Sequence, residues 1–480
     1  MVQPQPRPAS RPEAAAPPPD PPADRRRAWL ITALIVGFML VNYADKSVLG
    51  LAAVPIMDEL HISNSTYGLI SSSFALLFSV SGLMGGIVSA RVPSRVLLAV
   101  LAAVWAVAQL PVLFVASVPA LVAGRVLLGV AEGPAAPMSM HALYKWFPED
   151  RRGLPSALQI SGAALGTLIA APGVTWLITA FGWRSAFAAL AAVSVVWSLL
   201  WWRTGHDGPY GHESVHGAGS GSTSGSGADS GSVHRSGSGS GPGPGRGSGP
   251  VVRLPFRRLL LNGTVLGSIA GAFGASWALS LSQAWLPAYL RTQLGMSSGG
   301  AATLISGVSA FSFVLLLAVS PLVDALNRRG VTNRWSRGAP QGIAVTVAAL
   351  AMAALPFADV RGVLLALITL AFGAHAITFP LHYMTTAAVV PPAQRGAVFG
   401  FVAATGTLPG LIAPSLTGHL LDSAPSQTAG YTHAFLVSAA VMLVCGLTAL
   451  AAIRPERDVQ RLRPAGRAGR GQQCAAPIDG

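Results

Sequence analysis

The chain has 480 residues, 51% of them hydrophobic and only 10% charged, with a mean hydropathy of +0.54. Soluble domains carry about 25% charged residues and their helices keep a polar outer face, so uncharged runs such as Ala99 to Ala123 and Ile343 to Ala358 argue against a soluble helical protein. The net charge of +14 (32 Lys+Arg against 18 Asp+Glu) could suggest nucleic acid, but its placement speaks for topology instead. Two cysteines, Cys445 and Cys474, build neither a disulfide framework nor a metal cluster.

Residues 1–27, rich in Pro, Ala and Arg, read as a disordered cytoplasmic tail. The apolar run at 28–50 is too long for a signal-peptide core and is followed by many more, so it reads as a retained first helix. A helix needs about 20 apolar residues to cross the hydrocarbon core. Spans are expected near 28–50, 66–89, 96–116, 118–142, 154–180, 185–203, 261–290, 299–324, 341–358, 361–387, 395–420 and 431–453. The predicted fold is an all-α membrane protein of twelve transmembrane helices in two pseudo-symmetric six-helix bundles, at 28–203 and 255–453. A Gly/Ser-rich stretch at 204–254 joins them as a flexible linker, and a basic cytoplasmic tail follows at 454–480.

Basic residues test this count, because cytoplasmic loops are enriched in them. With the N-terminus inside, 27 of the 32 fall in tails and inner loops, three in outer connections (Arg184, Arg291, Arg361) and two within spans (Lys46, Arg125). Both termini are therefore expected in the cytoplasm and the protein in the inner membrane. The halves also echo each other. Arg152-Gly153, Gly162, Gly166 and Pro172 recur about 243 residues later as Arg395-Gly396, Gly406, Gly410 and Pro414. Internal repeats mark transporter folds with a site between the halves, and paired glycines let helices approach.

Ionisable groups inside spans are costly and point to function. They are Asp45 and Lys46 in span one, Arg125 and Glu132 in span four, and Asp324 at the inner end of span eight. At about 1.5 Å rise per residue, Asp45 and Arg125 lie at similar depth, and Glu132 roughly 10 Å deeper. Asp45 is thus expected to pair with Arg125 or Lys46, and Glu132 to stand without a cation at its level. A buried unpaired carboxylate suits proton loading and release, and the cations suit an anionic substrate. The alternative is a static network that fixes packing. His375, His382 and His141 are lesser proton-carrier candidates. Trp285 and Tyr289 read as interface anchors.

At these residues the sequence resembles the major facilitator superfamily, and most its anion:cation symporter branch of sugar-acid permeases and organic-anion transporters. The matching stretches are Asn42-Tyr43-Ala44-Asp45-Lys46, Arg125 through Glu132-Gly133-Pro134, Trp146-Phe147-Pro148-Glu149, Gly182-Trp183-Arg184 and Trp285-Leu286-Pro287. The resemblance implies alternating access, proton coupling at Asp45 and Glu132, and a substrate contact at Lys46, while Arg125 is a candidate substrate contact by its charge within the span. Lys46 stands where Arg is usual, which loses the bidentate fork. An inner gate is implied at Arg91 and Asp324, weakened because Ala90 replaces the usual Asp. Phe78, Ala163 and Thr407 occupy positions where polyol-acid carriers hold Tyr, Gln and Asn. Such a site favours an apolar or aromatic carboxylate over a sugar acid.

The leading expectation is therefore proton symport of a small organic anion by a monomer in the lipid bilayer, with no cofactor, metal or nucleic-acid partner. Proton-antiport efflux of a hydrophobic drug or metabolite is the alternative. A membrane enzyme or a sensor is a third class, but the first outer loop offers only Asp58, Glu59 and His61 and no metal-ligand spacing.

Overall fold

A computed structural model describes residues 25–89, 92–115, 117–148, 151–211, 254–391 and 394–462. Arg91 and Ala90 of the expected gate, Glu149, Cys474, most of both tails and the linker from 212 to 253 lie outside the described residues. Eleven helices among the described residues are long and apolar enough to cross a bilayer. These are α1 (Arg25–Leu51), α3 (Ser94–Phe114), α4 (Val118–Tyr144), α5 (Leu154–Phe181), α6 (Trp183–Thr204), α7 (Gly263–Ala284), α8 (Ser298–Arg328), α9 (Arg334–Phe357), α10 (Arg361–Val389), α11 (Ala397–Ser423) and α12 (Gln427–Ala452). The helix Asn64–Ser89, 26 residues long, packs among them as α2, in keeping with the expected twelve. Large apolar side chains such as Ile169, Trp176, Val196, Val314 and Leu350 face outward. That surface would be an aggregation hazard in water and matches hydrocarbon.

Helices pair in a pattern that repeats after six. α1 packs on α5, α2 on α4 and α3 on α6; α7 packs on α11, α8 on α10 and α9 on α12. The halves meet mainly through α2 against α11 and α5 against α8. The sequence echo has a matching geometry. Arg152 donates from Nε to the Phe147 carbonyl (3.0 Å) and from Nη2 to that of Tyr144 (3.3 Å). Arg395 donates to Val390 (3.2 Å) and Ala387 (3.0 Å), the same five- and eight-residue offsets. Each arginine thus satisfies carbonyls left over where the preceding span ends, with a charge that suits a helix C-terminus. Gly162 and Gly166 lie against Met39 and Tyr43 of α1, and Gly406 against Ala272 of α7.

Prolines place the breaks. α4 is interrupted at Gly133-Pro134, directly after Glu132. In α10, Pro380 has no N–H for the Ala376 carbonyl, and residues Ala374–Ile377 tighten into a 3₁₀ turn that carries His375.

At the end bearing the short helix Ala53–Leu60, the halves are tied together. Tyr67 Oη lies 3.1 Å from both the Leu49 and Ala284 carbonyls. The Trp285 ring meets that of Tyr67 edge-on across the seam, their centroids 5.1 Å apart, and its Nε1 donates within the second half to the Pro414 carbonyl at 3.0 Å. Asp422, at the end of α11, accepts from the Asn64 (3.2 Å) and Ser65 (2.7 Å) backbone amides and from Asn64 Nδ2 (2.8 Å), capping α2. The interface-anchor reading of Trp285 and Tyr289 is corrected here: both are buried, Tyr289 against Tyr431 and Phe435. Their indole and phenol close the bundle instead of marking the bilayer surface.

At the opposite end, Asp458 caps α7. Its Oδ2 accepts from Thr264 N (2.8 Å) and Oγ1 (2.7 Å), and its Oδ1 from Arg457 Nε (2.9 Å). Burial alone would raise its pKa, but the hydrogen bonds from Arg457 and Thr264 outweigh that and hold it below the usual Asp value. A depressed folded pKa means the cap stabilises fully above the unfolded value and fades as pH falls through the folded one. Asp458→Ala is expected to cost about 1–2 kcal/mol at neutral pH, read as a lower melting temperature, with the deficit shrinking in acid. An unchanged melting temperature would refute the cap.

Candidate functional site

Span one brings Asn42, Asp45 and Lys46 into a single turn of α1. Asp45 is fully buried, and its Oδ1 accepts a hydrogen bond from Gln109 Nε2 of α3 at 3.0 Å. Arg125 Nη1 reaches the main-chain carbonyl of Asp45 at 3.4 Å, not its carboxylate. No ion pair joins Asp45 to Arg125 or Lys46 among the described residues. Lys46 Nζ instead sits 3.1 Å from Glu132 Oε2 and donates to Asn42 Oδ1 at 2.8 Å. Both pairing expectations are therefore corrected: Asp45 takes a neutral partner, and Glu132 has a cation.

The physical reason is side-chain direction. In a helix, side chains lean toward the N-terminus. The two helices run in opposite directions, so Lys46 leans back along α1 toward Asn42 while Glu132 leans the other way along α4. The two charges converge although their Cα atoms start at different depths. Gln109 was missed, although it carries the sole amide in the uncharged run from Ala99 to Ala123.

Aromatic faces flank the cations. Lys46 Nζ lies 4.4 Å from the Tyr43 ring centroid and 5.3 Å from that of Phe78, and the Arg125 guanidinium 4.9 Å from that of Phe74. These distances allow cation–π attraction. A cavity of about 200 Å³ opens beside them, lined by Lys46, Arg125, Phe74, Phe78 and Thr407 among others. A second lobe of about 110 Å³ is lined by Ala163, Thr167, Ser309 and His375. The lobes share Tyr43, Leu279, Gln283 and Phe379, so they form one central space between the halves.

Of the predicted substrate residues, Lys46, Arg125, Phe78 and Thr407 meet in the first lobe, and Ala163 lines the second. Thr407 Oγ1 is also hydrogen-bonded to Ser79 Oγ across the halves. Asp45 and Glu132 stand behind the wall, with Glu132 reached through Lys46. Asp324 is exposed near the end of α8, away from this group. His382 is satisfied by the Thr378 carbonyl of its own helix, 3.0 Å from Nδ1. His141 is exposed. No cluster of metal-ligating side chains occurs among the described residues.

Apolar spans in two related sets around a cavity with buried charge in its wall define a multi-pass membrane transporter. The sequence profile of the Major Facilitator Superfamily matches residues 34–414 and 331–476, and the chain belongs to that superfamily. It is similar to the hexuronate transporter of Bacillus subtilis, 25% identical over 87% of this chain and 92% of the relative. It is likewise similar to the D-galactonate transporter of Escherichia coli, 25% identical over 88% and 95%. Among solved structures, the D-xylose-proton symporter superposes with a TM-score of 0.67 at 16% identity, covering 90% of this chain and 99% of that one. This last likeness bears on the fold. The protein is a transporter and not an enzyme.

Proposed function

We propose that the chain is a secondary active transporter that carries a small organic carboxylate together with a proton. It acts as a monomer in the inner membrane, with both termini in the cytoplasm and its two six-helix bundles alternating access to the central cavity. The observation that carries this reading is the position of Lys46. Its ammonium faces the cavity, while its counter-charge, Glu132, lies fully buried behind it.

Such an ammonium has one carboxylate already. A proton taken by Glu132 removes that claim and leaves Lys46, with Arg125 beside it, to hold the substrate's carboxylate. Loss of the proton restores the pair and displaces the anion. Asp45, held by Gln109, is a second carboxylate for the same proton traffic. The walls of Tyr43, Phe74 and Phe78 suit an apolar or aromatic body. The relatives' names, hexuronate and D-galactonate transporters, support an organic acid as cargo. Arg91 and Asp324 are proposed for the inner gate.

The test is uptake into proteoliposomes under an imposed pH gradient, over a panel of organic acids. Vesicles alkaline inside and acidic outside should accumulate substrate, and Glu132→Gln should lower gradient-driven uptake at least about tenfold while exchange of preloaded substrate persists. Uptake indifferent to the gradient would sink proton symport. Expulsion of preloaded substrate by that same outside-acid gradient would favour efflux of a hydrophobic compound by antiport, which the same aromatic walls could accommodate.

A further inference from the structure

We propose that the second lobe of the cavity, around His375, recognises a hydroxyl at the end of the substrate remote from its carboxylate. This rests on the carboxylate reading above and deepens it.

His375 is 3% exposed, and its Nδ1 is fully enclosed without a hydrogen-bond partner. Its other ring nitrogen has no hydrogen bond among the described residues either. The contrast with His382, seven residues on in the same span and bonded to its own helix, is direct. The 3₁₀ turn before Pro380 takes His375 out of the regular helical register, and the ring lines the lobe beside Phe379, their centroids 6.1 Å apart.

The neighbours are also uncommitted. Gln283, Ser309 and Thr167 line the same lobe, and their side chains make no hydrogen bond among the described residues. Ser47 and Ser312, by comparison, are spent on the carbonyls of Tyr43 (2.8 Å) and Gly373 (3.3 Å). An unpaired polar group in a closed interior is costly, so the enclosed His375 Nδ1 calls for a ligand atom that pairs with it, and the three neighbours can pair with the same atom.

The character of that atom follows from the lining. No Asp, Glu, Lys or Arg lines this lobe, while both cations sit in the other one. The charged end of a ligand belongs beside Lys46 and Arg125, and an uncharged polar end beside His375. Tyr43, Leu279, Gln283 and Phe379 belong to both lobes, so one molecule can span them. A hydroxyl both donates and accepts. It therefore satisfies the imidazole in either tautomer and the Gln283 amide in either orientation.

The matched probes are phenylacetate and 4-hydroxyphenylacetate, with binding to the purified full chain followed by tryptophan fluorescence. The hydroxylated acid should bind about tenfold more tightly, the effect of pairing one otherwise unsatisfied buried group. His375→Phe should bring that ratio to near one, and His375→Gln, which keeps a hydrogen-bonding end, should retain a several-fold preference. Equal binding of the two acids by the wild-type protein overturns the proposal without any variant having to fold. An unchanged ratio in His375→Phe overturns it as well. In both cases the carboxylate reading survives, because the acids still bind. If neither these two nor any other organic acid binds, that reading falls and this one with it.

Discussion

Lys46→Met is expected to lower the stability of the purified protein by about 3–5 kcal/mol and to abolish uptake. Removing one partner of a buried ion pair leaves the other charge without compensation, and the cost is that of the stranded charge more than of the lost contact. Glu132 is almost completely enclosed, and Lys46 is its cation at 3.1 Å. The double substitution Lys46→Met with Glu132→Gln removes both charges, and should recover most of the stability because apolar or neutral replacements of similar size are tolerated at such pairs. It should not recover uptake, since the cation that faces the cavity is gone. Thermal unfolding in detergent and vesicle uptake separate the two effects. A single variant as stable as the parent, or a double variant no better than the single, would show that the pair does not carry this energy.

Gly50→Val should eliminate net uptake by a different route. A Cβ built on Gly50 of α1 would overlap the main-chain carbonyl of Gln283 on α7. Backbone cannot yield as a side-chain tip can, so α1 and α7 must separate. The Tyr67 hydroxyl of α2 meets carbonyls of these same two helices at this end, Leu49 on α1 and Ala284 on α7, and Trp285 follows α7 directly. The variant should therefore hold the cavity open there. A Ser71→Cys reporter, which lines the first lobe, should react with an impermeant thiol reagent in the Gly50→Val background and resist it in the parent. Equal protection in both would refute the role of this contact.

Much of the architecture is legible in the chain because the bilayer imposes one strong rule, a long apolar run for each crossing. The uncharged stretch from Ala99 to Ala123 takes in most of α3 and the start of α4, and the repeated Arg-Gly starts of α5 and α11 mark equivalent corners with equivalent hydrogen bonds. The site is legible as a list of residues and less so as a set of partners. Asp45, Lys46, Arg125 and Glu132 stand out because charge inside a span is rare. Who meets whom depends on where long side chains lean, and rise per residue along the backbone does not contain that. Neutral partners leave still less trace: Gln109 is one amide in an apolar helix, and nothing in the spelling of the sequence says that it ends on Asp45. The difference between His375 and His382 comes from a proline five residues beyond the first, which acts through the backbone and not through composition. Trp285 was misread because an indole near the end of a span looks the same in sequence whether it faces lipid headgroups or the carbonyl of Pro414.

The Tyr67 hydroxyl adds only a small share to the closure at its end of the bundle. It lies equally far from two carbonyls, one on each half, yet it owns a single hydrogen. At any instant that hydrogen serves Leu49, within its own half, or Ala284, across the seam, so the seam gains at most one bond's worth of adhesion, roughly 1 kcal/mol net. Under the proposed alternating access, a clasp of about this strength is no deep trap on either side.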